Sequence, residues 1–283
     1  MASKFDMSDL GRLTYYLGME VLQCDDGIML SQKRYAQKIV EEAEMQNCNA
    51  VHTPMESGLK LLKARDEKDI DATMFRKNVG CLRYLLHTRP DLSYCVGVLS
   101  RYMQNPKESH GAAMRQCLRY LKSTTTLGLT FERSSSRVPR LIGYIDSSHN
   151  VDPDDGKSTT GHIFYLGESP ITWCSQKQDT EDLARELSFA LTIKSAIALT
   201  RNPVFHGRSK HIHTRYHFIR ECVENGQVEV EHVPGEKQKA DILTKALGRI
   251  KFKEMRDLIG MKDLAGNEFK LKGENVELSL KKA

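Results

Sequence analysis

Apolar residues recur at spacings of three and four in several stretches of the chain, as they do on helices with one buried face. The stripes are Tyr35, Ile39 and Ala43 within 31–43; Phe75, Val79, Leu82, Leu85 and Leu86; Leu92, Cys95, Val96, Leu99 and Met103; Ala113, Cys117, Leu118 and Leu121 within 110–121; and Ile212, Tyr216, Ile219 and Val223 within 210–224. Ser31 stands where an N-cap is wanted, because its hydroxyl can accept a free amide of the first turn. Thr88-Arg89-Pro90-Asp91 separates two stripes, since the residue before a proline avoids the helical region. Asn225-Gly226 ends the 210–224 helix. One more helix is predicted to begin near Glu236 and to carry Ala240, Leu243 and Leu247 inward, with Asp241 in its first turns.

Strand signals fall between these helices. Leu13–Gln23 is rich in β-formers, Asp25-Asp26-Gly27 is a tight turn and Ile28–Leu30 returns, which makes a hairpin. Leu141–Asp146 reads as a strand ending in a carboxylate, followed by a loop with Asp152, Asp154 and Asp155, then strands at Gly161–Leu166 and Ile171–Ser175. Gln227–Val233 alternates Val228, Val230 and His232 against Glu229, Glu231 and Val233. Residues 58–70 are charged and read as a mobile linker, and Arg133–Pro139 is a polar linker and the best domain boundary. The Lys-rich stretch 262–283 shows no core face and is expected to be disordered.

Composition narrows this little. A chain of 283 residues with 28% charged and 40% hydrophobic residues is ordinary for a globular protein and can hold two domains. Its 42 basic and 37 acidic residues leave a net charge of +5, compatible with nucleic acid. Seven cysteines without a C-x-x-C pair point to reduced thiols inside a cell. No secretory h-region and no stretch long enough to span a bilayer are visible, so an intracellular protein off the membrane is expected.

Several long motifs carry a resemblance. SDLGRLTYYLGMEV, GIMLSQKRYAQKIVE, VGCLRYLLHTRPDLSYCVGVLSRYMQNP, GYIDSSHNVDPDDGKSTTGHIFYLG, NPVFHGRSKHI and KADILTKAL occur in this order. They are similar to the C-terminal part of the Pol polyproteins of copia-type LTR retrotransposons. The resemblance implies an α/β (α+β) chain. Its expected parts are a palm-end hairpin and thumb start at 1–57, a helical thumb/connection region at 58–133, and an incomplete ribonuclease H-like mixed sheet with helices at 139–250.

In that family reverse transcriptase holds two magnesium ions on a Tyr-x-Asp-Asp turn and an earlier Asp. No such motif occurs here, and Asp25-Asp26 is better read as turn chemistry. The resemblance therefore implies no DNA polymerisation.

The ribonuclease H domain cleaves the RNA strand of an RNA–DNA hybrid with two Mg2+ ions among four carboxylates. The resemblance assigns Asp146 and Asp241 to the first and last of these, as catalytic and metal-binding residues. The second place, a Glu-Ala-Glu-Tyr helix start, is not matched. Glu181 and Glu186 lie near it, outside the motif, and Glu186 is kept as a candidate catalytic residue. At the third place Thr192-Ile193 stand where Asp-Asn is expected, just before the preserved KSAIAL. Between Gln178 and Lys194 too few residues remain for the family's long helix and next strand, which implies an internal deletion of the strand that pairs with the one bearing Asp146.

Arg83, Arg89, Arg101, Arg115, Arg119 and Lys122 fall along the predicted helices. They read either as a phosphate-tracking surface or as solvated helix faces. Arg83, Arg115, Arg119 and Lys122, with Arg208 and Lys210, are the candidate nucleic-acid contacts, and the expected partner is RNA–DNA hybrid or duplex. His206, His211, His213, His217 and His232 could suggest zinc, but no Cys or carboxylate sits at suitable spacing, and polar or RNA-facing histidines are the plainer reading. Three functions stay open: a remnant enzyme with lost or impaired ribonuclease H activity, a noncatalytic nucleic-acid binder, and an interaction protein or no function.

Overall fold

A computed structural model describes residues 11–63, 66–133, 140–148, 152–178, 225, 229 and 231–266. The strands are β1 (Tyr15–Tyr16), β2 (Met19–Cys24), β3 (Gly27–Ser31), β4 (Leu127–Glu132), β5 (Leu141–Ser147), β6 (Thr159–Leu166), β7 (Ser169–Lys177) and β8 (Met261–Asp263). The α-helices are α1 (Lys33–Glu42), α2 (Ala72–Leu85), α3 (Ser93–Ser100), α4 (Glu108–Ser123) and α5 (Arg249–Leu258), with 3-10 turns at Pro90–Leu92 and Lys239–Leu243. Mixed helices and antiparallel sheets agree with the expected α/β class. The helix and strand predicted over 210–233 fall largely outside the described residues, as do Glu181, Glu186, Arg208, Lys210, four of the five histidines and most of the 133–139 linker.

The first sheet has the antiparallel order β1-β2-β3-β4-β8. The single strand expected over Leu13–Gln23 is cut in two. Leu17 and Gly18 both take positive φ, 46° and 77°, and form a two-residue turn between Tyr16 and Met19. Tyr84 of α2 secures it, its hydroxyl donating to the Leu17 carbonyl. Asp25 and Asp26 occupy the tip between the paired Cys24 and Gly27, as their turn chemistry predicts. Strand β4 had no counterpart in the sequence reading, yet it joins the sheet's two ends, pairing with β3 on one side and β8 on the other. The N-terminal hairpin, the residues after α4 and a C-terminal strand thus share one sheet. Within the 262–283 stretch, Lys262 pairs with Gly128 and Leu264 is buried; residues 267–283 lie outside the described residues.

Helix α1 begins two residues beyond Ser31, which ends β3 while its hydroxyl accepts the Lys33 amide. Gln32 takes the cap position and turns its side chain inward to accept the Thr88 hydroxyl, 2.9 Å away. The stripes on α2, α3 and α4 bury as their spacing predicts, with Val79, Leu82, Leu92, Leu99, Cys117 and Leu121 at 0% exposure. The charged 58–70 stretch is held in place at several points. Leu61 is in the core, and Asp69 bridges Lys107.

Arg89 sits inside this layer at 1% exposure. It donates to Asp91 from Nε and Nη2 at 2.9 and 2.7 Å, and to the Thr124 carbonyl at 2.8 Å. The Tyr120 hydroxyl also donates to Asp91 at 2.7 Å and accepts from Arg256 of α5 at 3.2 Å. One polar knot therefore ties the turn before α3 to the end of α4 and to α5.

The second sheet has the order β5-β6-β7 among the described residues. It packs on α3, where the Ser175 carbonyl comes 3.5 Å from the position a Cβ on Gly97 would occupy. Trp173 Nε1 donates to the Leu86 carbonyl at 2.9 Å, and Arg101 Nη1 donates to Asp152 at 2.9 Å. Ile163, Tyr165, Ile242 and Leu243 belong to the same buried cluster as the α2–α4 stripes. The polar stretch after β4 thus joins two sheets that share a core.

Candidate functional site

Asp146 stands near the end of β5, in register with Gly161 of β6. Over that glycine runs the 3-10 turn Lys239–Leu243. A Cβ at position 161 would lie 2.6 Å from Leu243 Cβ and 2.9 Å from Thr244 Cγ2. The helix expected to begin near Glu236 is thus a five-residue 3-10 turn, and α5 begins separately after Gly248. The tighter 3-10 winding is usual in such short pieces. Ala240 and Leu243 still point inward, fully buried, and Leu247 lies at 9% exposure beyond the turn.

Gln238 aligns the turn with the sheet. Its Oε1 accepts the Ala240 amide at 3.2 Å, and its Nε2 donates to the Ile145 carbonyl of β5 at 3.2 Å. Lys239 lies over the rings of Tyr165 and Tyr144, 4.0 and 5.2 Å from their centres. Burial lowers its pKa.

These contacts bring the two aspartates singled out from sequence into one cluster. The Thr244 hydroxyl donates to Asp146 Oδ2. Lys245 Nζ stands 2.9 Å from Asp241 Oδ1 and 3.8 Å from Asp146 Oδ2. The aspartate side chains are 16% and 11% exposed, and that of Lys245 43%. Burial raises the Asp241 carboxyl above the usual range; Lys245 pulls it back, and the negative charge of Asp146 adds to the rise. Sequence reasoning missed Thr244 and Lys245. Both stand in the KADILTKAL motif, three and four residues after Asp241.

The two aspartates meet an ammonium and a hydroxyl in this structure. One oxygen of Asp146 is met by both a hydroxyl and an ammonium, and an oxygen of Asp241 by the same ammonium. Among the described residues no group of three His, Cys, Asp or Glu side chains gathers as metal ligands would.

The basic residues divide by environment. Arg89 and Arg101 are not free to track phosphates, being paired with Asp91 and Asp152. Arg119 donates to the Asn49 carbonyl at 2.7 Å and Lys122 to the Cys48 carbonyl at 2.5 Å, clasping the loop after α1. Arg83 and Arg115 are exposed. Arg83, His87, Trp173 and Lys177 line one open groove between the helices and β7. Among the described residues, no helix is long and apolar enough to cross a membrane.

Residues 1–57 match the family described as Reverse transcriptase (RNA-dependent DNA polymerase). The retrovirus-related Pol polyprotein from transposon RE1 of Arabidopsis thaliana is 37% identical over 292 aligned residues, covering 92% of this chain and 20% of its own length. The Pol polyprotein from transposon TNT 1-94 of Nicotiana tabacum is 32% identical over 92% of this chain and 22% of its own length. The uncharacterized mitochondrial protein AtMg00810 of Arabidopsis thaliana is 32% identical, over 72% of this chain and 87% of its own length. The chain spans about a fifth of the length of the two Pol polyproteins. No solved structure matches it. By its likeness to these polyproteins along most of its length, and by the reverse transcriptase match at its start, the chain belongs to the Pol polyprotein family of copia-type retrotransposons.

Proposed function

We propose that this chain is a remnant of the reverse transcriptase/ribonuclease H region of a Pol polyprotein, built to handle RNA–DNA hybrid. In this reading it has no polymerase activity, and its ribonuclease H activity is lost or impaired. The observation that carries the reading is the meeting of Asp146 and Asp241. They are far apart in the chain, were singled out together by resemblance, and share the Lys245 ammonium. A carboxylate pair satisfied by an ammonium and a hydroxyl holds its segments together and leaves little to grip Mg2+, the family's expected cofactor. The alignment with the RE1 polyprotein runs over 292 positions while covering 92% of this chain, so some of its positions lie opposite gaps here, as an internal deletion requires.

The test is incubation of the purified chain with Mg2+ and a labelled RNA–DNA hybrid. No cleavage is expected. Cleavage that disappears in Asp146→Asn overturns the reading.

A second reading, a noncatalytic nucleic-acid-binding or interaction protein derived from the transposon, draws on the groove lined by Arg83, His87 and Trp173, where Lys177 is already paired with Asp152 and Asp155. It requires hybrid or duplex binding that weakens steeply as salt rises. Binding that ignores salt, or none at low salt, removes it.

A further inference from the structure

We infer that Lys245 is the resident cation of the Asp146–Asp241 pair, closing the site as a metal-independent clasp between β5 and the 239–245 segment. The inference rests on the reading of these two aspartates given above and names what holds them together.

The geometry decides between a clasp and an idle surface lysine. Lys245 is four residues after Asp241, yet its ammonium also comes within 3.8 Å of Asp146, on a different element. The Thr244 hydroxyl reaches the same Asp146 oxygen. Two consecutive side chains thus converge on one carboxylate, which a solvated lysine has no reason to do. The ammonium thus sits at hydrogen-bond length from Asp241, 2.9 Å, and at ion-pair distance from Asp146, 3.8 Å. Mg2+ instead demands oxygens at roughly 2.0–2.1 Å in near-octahedral array and gives up its waters reluctantly. To enter here it would have to displace Lys245 from both aspartates and compete with Thr244 for Asp146 Oδ2.

The experiment is a thermal melt of the full chain at rising MgCl2 and constant ionic strength, for the wild type, Lys245→Met and Lys245→Arg. The wild-type midpoint should not move with Mg2+. Lys245→Met should melt lower and regain stability as Mg2+ is added, with an apparent Mg2+ affinity at least about tenfold tighter than wild type, as expected when a nearby positive charge is removed. Lys245→Arg should stay insensitive, and if Lys245→Met does not fold, the wild type and Lys245→Arg decide. A wild-type midpoint that climbs with Mg2+ and stops doing so in Asp146→Asn overturns the inference. So does a Lys245→Met that melts like wild type. Mg2+ binding without hybrid cleavage sinks the clasp alone; cleavage that depends on Asp146 sinks the remnant reading as well.

Discussion

The Arg89 guanidinium grips the Asp91 carboxylate through two hydrogen bonds, 2.9 and 2.7 Å long, with side chains only 2% and 0% exposed. Neither charge has water to fall back on. Burial alone would raise the Asp91 carboxyl, but Arg89 and the Tyr120 hydroxyl overcome it and hold its pKa below the usual range. Breaking such a pair by removing one partner costs about 3–5 kcal/mol, because the other is left buried and uncompensated. Asp91→Ala should lose stability of that order in urea melts. Arg89→Met combined with Asp91→Leu should recover much of it, since an apolar pair of similar volume carries no stranded charge. Equal losses in the single and double variants would show that the knot contributes little beyond its packing.

The acid side of the stability profile should show two separate steps. His110 lies in the first turn of α4, accepting the Lys107 amide on Nδ1 at 2.9 Å, with Nε2 2.8 Å from the Leu62 carbonyl. Burial lowers its pKa below the usual value of about 6.5. The unfolded chain therefore binds the proton more readily, and the contribution of neutral His110 is present above about pH 6.5 and lost as pH falls toward the folded value. Asp91 and Asp152 are also lowered, in each case by cations that outweigh burial. Their contribution is present above about pH 4 and is lost below it. Urea midpoints measured from pH 8 to pH 3 should fall first below about pH 6.5 and again below about pH 4. His162, lowered by burial in the same way, shares the first fall, so His110→Asn should shrink that fall and leave the second.

Gly161 is the point where the 3-10 turn touches the second sheet. Gly161→Ala places a methyl 2.6 Å from Leu243 Cβ and 3.2 Å from its carbonyl carbon. The turn must lift, and overpacking of this kind costs about 1–3 kcal/mol. The lift should part Lys245 from Asp146, so amide exchange should speed up over residues 238–245 more than over α2 to α4. Uniform acceleration across the chain would place the strain elsewhere.

Periodicity exposed the helical half of this fold because α2, α3 and α4 each turn one face to a common core. It placed Val79, Leu92, Cys117 and Leu121 inside, and all four are. Strand β4 was lost because Leu127–Glu132 is short and follows α4 after only three residues, so its Leu-Gly-Leu run gives little period of its own. Its identity as a strand comes from β3 and β8, which lie far off in sequence. The hairpin was read too long for a local reason: Leu17 takes a positive φ that leucine rarely adopts, held by Tyr84 from α2. Asp146 and Asp241 were legible by resemblance to a family, whereas spacing alone could not bring them together. Thr244 and Lys245 were passed over because a carboxylate search looks for more acids, and here the partners are a hydroxyl and an ammonium.

The basic residues on the helices should separate by function under mutation. Arg83 and Arg115 are exposed, while Arg119 and Lys122 are engaged with backbone carbonyls of the loop at Cys48 and Asn49. If the groove binds hybrid, Arg83→Ala should weaken binding and reduce the salt slope by about one phosphate contact without changing the melting midpoint. Arg119→Ala should do the reverse, lowering stability by about 0.5–1.5 kcal/mol, the usual net worth of a hydrogen bond. Filter binding at several salt concentrations, paired with melts of the same variants, gives both readouts. An Arg119→Ala that keeps its stability and loses hybrid affinity would move this residue from loop clasp to nucleic-acid contact. That result would favour the phosphate-tracking face along α4 over the groove beside β7.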